Sequence, residues 1–185
     1  MNDMFNSYER FLNGDKEALT DIVKAYRDPL IWYLYKIVGD LDAAEELAQD
    51  TFVKLLLKKP KNSGESGFKT WLYTIGRNTA IDYLRKKKRE KSVSLSDVAD
   101  ILEAETDLKE SILKTERDKA LFSAMARLKK EYAEILWLTY FEGLSNKESA
   151  KVLKKSQNAA AILCSRARAA LKEELQKENI TDEDL

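Results

Sequence analysis

Residues 68–91, FKTWLYTIGRNTAIDYLRKKKREK, leave this chain little choice of local structure. Phe68, Leu72, Ile75 and Thr79 recur at helical spacing, so the first two-thirds of the stretch predicts one helix with one side to bury. Trp71 and Tyr73 flank that stripe, Arg77 and Asn78 form a polar step, and Arg85, Lys86, Lys87, Lys88 and Arg89 close the segment. The rest of the chain is as helix-prone. Only 6 Gly and 2 Pro interrupt 185 residues rich in Lys, Glu, Leu and Ala, which favours a nearly all-helical fold. With 44% hydrophobic and 35% charged residues the chain is globular, and its length permits one ordinary domain or two small ones.

An apolar face, interleaved aromatics and a terminal cationic run suit a nucleic acid, because cations neutralise phosphates and aromatic faces stack unpaired bases. The plainer reading is a core helix whose basic end is solvated, and composition alone favours it. A second, independent DNA-binding pattern downstream reverses that balance. Titratable ligands exclude more than they include. There is no His, and Cys164 is the only Cys, so neither an intramolecular disulfide nor a Cys/His zinc site can be built. The commonest general base is absent, and no phosphate-binding or dinucleotide-binding glycine motif occurs. A binding protein is expected rather than an enzyme, with no cofactor. No apolar run is long enough to cross a bilayer and residues 1–19 lack a signal-peptide core, so a cytoplasmic protein without direct membrane insertion is expected.

The formal net charge is +0, but the charges are sorted into blocks. Residues 85–91 carry six cations and one Glu, and residues 92–118 carry eight acids against three cations. Residues 147–172 carry seven cations against Glu148 alone, and the last thirteen residues carry six acids against Lys177. Such blocks, not their sum, decide what each surface binds.

Taken in order, the chain starts loosely. Asp15 can cap a helix running to about Arg27, and Pro29 suits the first turn of another that carries Leu30, Trp32, Tyr33, Leu34, Ile37 and Val38 and stops at Gly39. Asp42 opens a third helix ended by Pro60. Leu47, Phe52, Val53 and Leu56 are expected to face inward, leaving Asp42, Glu45, Glu46, Gln49 and Asp50 as an acidic outer face. Residues 61–67, KNSGESG, read as a flexible loop. The helix of residues 68–91 then completes a first module, residues 1–91. Residues 92–112 read as an acidic linker.

The second module is expected over residues 113–178, with 179–185 as an acidic tail. ERDKALFSAMARL and KEYAEILWLTYFEG each predict a helix, the latter closed at Gly143. Ser145 can cap NKESAKVL, Lys154 and Lys155 form a tight turn, and Ser156 can cap QNAAAILCSRARAALKEEL. Two helices joined by a short turn make a helix-turn-helix, whose second helix enters the major groove by its first turn. Ser156, Gln157 and Asn158 stand there, and Gln and Asn can pair bidentately with adenine. Lys154, Lys155, Arg166 and Arg168 can contact phosphate. Cys164 lies inside the helix and is expected to be packed. Asp82 is expected to bond a neighbouring cation rather than DNA.

The strings WLYTIGRNTAIDYLRKKKR and YFEGLSNKESAKVL…RARAAL, in this order, resemble the melting and promoter-reading segments of bacterial RNA polymerase sigma factors of the extracytoplasmic-function (ECF) group. The similarity runs from about Asp15 to Lys172. It implies an all-α chain of two small helical domains joined by a flexible acidic linker, the second containing the helix-turn-helix. It further implies that the third helix docks on the β′ coiled coil of core RNA polymerase, with the β flap as a second contact. Residues 61–67 would help capture a flipped base, and Asn78 and Arg85 would lead the contacts to the melted downstream element of promoter DNA, with Trp71 largely in the core. An anti-sigma factor is the implied regulator. The chain departs from the group where Ala160, Ala161, Ile162 and Leu163 replace the usual Val, Lys, Ser and Arg, where Ser149 replaces an apolar residue, and where Lys154–Lys155 replaces Gly and an aliphatic residue. A weaker hold on the upstream element is expected from the two missing cations. Two other classes remain open at this point: a polymerase-independent helix-turn-helix regulator, and an adaptor that binds only proteins.

Overall fold

A computed structural model of the chain describes residues 3–59, 64–90 and 116–177, and among these every regular element is helical. The described residues fall into two compact units, divided after Leu108. The expected linker (92–112) and acidic tail (179–185), together with Pro60 and residues 61–63 of the expected loop, lie outside the described residues.

The first unit holds α1 (Asp3–Leu12), α2 (Glu17–Val38), α3 (Leu41–Lys58) and α4 (Gly64–Glu90). α2, α3 and α4 pack against one another, and α1 lies on α2 and α4. The loose start is therefore a helix. Its Tyr8 and Phe11 are buried, and the Tyr8 ring sits 4.4 Å from that of Phe68 on α4. Asp15 caps α2 as expected, its Oδ1 accepting from the Glu17 and Ala18 amides at 2.9 and 3.4 Å.

Pro29 does not start a new helix. It lies inside α2, which runs unbroken to Gly39 in the left-handed conformation. An interior proline costs about 3 kcal/mol. Directly after it, Leu30, Ile31, Trp32, Tyr33 and Leu34 are all buried. Burial of five such side chains, at about 1.5–3 kcal/mol each, outweighs that cost. The carbonyl left without its donor belongs to Ala25, an exposed residue.

α3 also differs from expectation at its start. Asp40, not Asp42, caps it, accepting from the Ala43 amide at 3.2 Å. It closes where expected, at Lys59, which turns left-handed (φ 39°). Leu47 and Phe52 face inward, but Val53 and Leu56 do not; they are 50% and 42% exposed, and Leu55 takes the buried position. α4 begins earlier than expected, so residues 64–67 belong to a helix and not to a loop. Its Gly76 meets α2 closely: a Cβ there would stand 3.1 Å from Leu30 Cδ1 and 3.4 Å from Leu34 Cδ2. That approach holds the middle of α4 against the core.

The second unit holds α5 (Glu116–Ala126), α6 (Lys130–Leu136), α7 (Asn146–Leu153) and α8 (Gln157–Lys177), with α8 packed against the other three. α6 continues as a wider π-helical turn, Trp137–Phe141. Gly143 (φ 67°) then closes it, and the Leu144 amide reaches back to the Leu138 carbonyl at 2.9 Å. α7 carries a complete capping box, Ser145 with Glu148. Lys154, left-handed at φ 54°, makes the turn into α8, and Ser156 Oγ accepts from the Ala159 amide at 3.2 Å.

Candidate promoter and polymerase surfaces

α4 spans 27 residues, about 40 Å at 1.5 Å per residue. Phe68, Leu72, Tyr73, Gly76 and Ala80 are buried on its inner side. Helical spacing places Trp71, Thr74, Asn78, Arg85 and Arg89 along the opposite side. Trp71 and Asn78 are half-buried; Arg85 and Arg89 are exposed. Asp82 shares this side and pairs with Arg85 at 3.3 Å, as its sequence context predicts.

Two expected DNA contacts fall elsewhere. Tyr73 has no exposed surface and meets the Tyr33 ring edge-on at 5.0 Å, so it offers no face to a base. Lys87 turns inward to Asp40 at 3.1 Å and lies over the Tyr83 ring. The amide of Ala43 and then Lys87 hold the Asp40 carboxyl below its ordinary range, while Tyr83 and then Asp40 raise Lys87. This pair ties the basic end of α4 to the start of α3. Arg77 is half-buried, and Lys86 and Lys88 are exposed.

On α3, Asp42, Glu46, Gln49 and Asp50 are exposed together on the outer side, while Glu45 is half-buried and accepts from Arg27 Nη2 at 3.2 Å. The acidic stripe does not end where sequence reasoning ended it. Counting 3.6 residues per turn from Asp42 carries the same side through Val53, Leu56 and Leu57, the last 79% exposed. The result is one continuous strip, acidic at its start and apolar at its end. The signal was available in that count, but the local run of apolar residues suggested a core.

α8 buries Ala160, Cys164, Ala167, Leu171 and Leu175, one residue per turn. Gln157 and Asn158 are exposed on its first turn, with Ser156 beside them, committed as the cap. Lys154 is exposed; Lys155 is half-buried, 3.8 Å from Glu131. Arg166 and Arg168 are both exposed, and Arg168 stacks over the Tyr140 ring at 5.7 Å. Arg127 ties α5 to α8 through Glu174 at 3.1 Å.

Comparison with known proteins matches these units one by one. Residues 22–90, α2 to α4, match the family Sigma-70 region 2, and residues 118–171 match Sigma-70, region 4. The RNA polymerase sigma factor YlaC of Bacillus subtilis (strain 168) is 30% identical over 163 residues, covering 88% of this chain and 94% of its own. This chain is a sigma factor of the sigma-70 family, in the ECF group. A second relative, the RNA polymerase sigma factor SigZ of the same organism, is 31% identical over 158 residues, covering 85% of this sigma factor and 87% of its own chain. Among solved structures, the sigma factor RpoE of Bartonella quintana, in complex with the anti-sigma factor NepR, has the same fold. It matches with a TM-score of 0.62 at 24% identity, covering 85% of this chain and 96% of that one. Sigma factors as a class bind core RNA polymerase and promoter DNA and direct initiation, and they are generally non-enzymatic. Among the described residues of this one, no helix is long and apolar enough to cross a membrane.

Proposed function

We propose that this sigma factor divides promoter work among three helix sides. The outer side of α4 takes the melted downstream strand. Trp71 stacks a base, Asn78 pairs with a base edge or sugar, and Arg85, Arg89, Lys86 and Lys88 hold the backbone, with Arg77 at the margin. The first turn of α8 takes the upstream duplex through Gln157 and Asn158, with Lys154, Lys155, Arg166 and Arg168 toward phosphates. The strip on α3 takes core polymerase, with Val53, Leu56 and Leu57 as its apolar centre and Asp42, Glu46, Gln49 and Asp50 as its polar rim. The observation that carries this reading is the single side of α4 that unites an aromatic, an amide and two arginines opposite a fully packed core.

No chemical step is assigned to the chain; the polymerase makes RNA and this subunit supplies address and melting. The site of action is the cytoplasm. The complex of the Bartonella relative with NepR supports an anti-sigma partner here too, one that covers polymerase-binding surface. The test is run-off transcription with purified core polymerase on genomic fragments. Core-dependent transcripts from discrete start sites are expected, and E46K/D50K or L57D on α3 should lower core affinity with helical content intact. Tight, polymerase-independent binding to a palindromic operator would overturn the reading.

A further inference from the structure

Ile162 is 46% exposed on a helix that buries one residue per turn on its other side. It therefore does not repack the module in place of the residue usual at that position. It stands four residues beyond Asn158, on the same side of α8. That spacing is about 6 Å along the axis, close to two base-pair steps of 3.4 Å. Ala159, also exposed, leaves the approach open. No carboxylate occurs in α8 between Gln157 and Lys172, while Arg166, Arg168 and Lys172 do. A duplex can therefore lie against this side without repulsion. In the major groove the one apolar group on a base edge is the 5-methyl of thymine, and aliphatic side chains read it by contact.

We propose that Ile162 reads a thymine 5-methyl group in the upstream promoter element, within about two base pairs of an adenine read by Asn158. This rests on the sigma-factor reading and adds a specificity-determining residue to it. It also gives the departure from the usual cation-bearing helix a use: sequence is read by a methyl contact where charge has been given up.

The test uses holoenzyme assembled from core polymerase and the full chain, on a promoter it transcribes. Thymines of the upstream element are replaced singly by deoxyuridine, which deletes only the 5-methyl. At one position binding should weaken about fourfold, the value of burying one methyl. Ile162→Ala should erase the thymine–uracil difference there, and Ile162→Val should keep most of it. Each ratio is taken within one protein, so any loss of folded material cancels. The proposal is overturned if no thymine is methyl-sensitive although scrambling the element still abolishes binding, in which case the sigma reading stands. A methyl-sensitive position that survives in Ile162→Ala also overturns it. So does a template-independent loss of core affinity in that variant, which would place Ile162 against polymerase. Absence of core-dependent transcription from every promoter would remove both readings together.

Discussion

Ser149 has no exposed surface, and its Oγ has no hydrogen-bond partner. An unsatisfied buried hydroxyl costs about 1–3 kcal/mol. Ser149→Ala deletes the hydroxyl and leaves a void no larger than the oxygen. The second unit should gain about 1 kcal/mol, read as a higher urea midpoint at unchanged slope; an unmoved midpoint would mean that the hydroxyl is satisfied. Trp71 and Tyr73 make a second contrast. Both are aromatic and two residues apart, and the family resemblance points to Trp71 as the one held largely in the core. Packing reverses that: Tyr73 spends its ring on Tyr33 inside the core, whereas Trp71 keeps part of its surface. Trp71→Ala should lower open-complex formation about tenfold, given roughly 1–3 kcal/mol per stacked base. Tyr73→Phe should leave it unchanged. Permanganate footprinting of unpaired thymines measures both, and equal loss in the two variants would show that the ranking is wrong.

Elements were legible where the signal is local. Asp15, Gly39, Ser145 and Ser156 each mark a helix end through bonds spanning at most four residues, and each is where the sequence places it. Features that depend on distant partners were not. α2 continues through Pro29 because its next five residues are buried by other helices, and α1 exists because Tyr8 and Phe11 find α4 and the rest of the core. In the run from Phe52 to Leu57 nearly every position is apolar, so periodicity alone does not tell Leu55 from Val53 or Leu56. The same ambiguity hid the apolar end of the candidate polymerase strip. The turn between α7 and α8 was legible, but its cost was not. Lys154 is held left-handed at φ 54°, a conformation that costs an L-residue about 1–2 kcal/mol and glycine much less. Lys154→Gly should therefore stabilise the second unit by about 1 kcal/mol. If Lys154 meets a phosphate, the same change should flatten the salt dependence of promoter binding by about 0.9 log unit per log salt. Chemical melts and a salt titration together decide it. Stability gained with no change in slope would take Lys154 off the DNA.

At the scale of the whole chain, a formal net charge of +0 conceals strongly charged sides, and the absence of His fixes how they respond to pH. No side chain with an ordinary pKa near 6.5 is present, so folding stability should be nearly flat from about pH 5 to 9. Both flanks have identified causes. On the acid side, Asp15 is held low by Arg10, Asp40 by the Ala43 amide and Lys87, and Glu174 by Lys177 and Arg127. Groups with depressed pKa values contribute stability that is complete above their unfolded values, about 4, and is lost as pH falls through their folded ones. On the alkaline side, burial pushes the Tyr8 phenol up to about 12. Its contribution is complete below the unfolded value near 10 and is lost as pH rises from there toward 12, because only the unfolded chain then ionises it freely. Lys87, raised by Tyr83 and Asp40, acts in the same direction: its share is present below about 10.4 and disappears as pH climbs through its folded value. Both groups belong to the first unit. The expectation is a plateau of thermal stability with an alkaline decline that reports the packing of α1 against α4. Tyr8→Phe should lower the plateau little and make the decline between pH 10 and 12 shallower, measured by calorimetry across that range. An identical decline in the variant would show that the buried phenol is not its source.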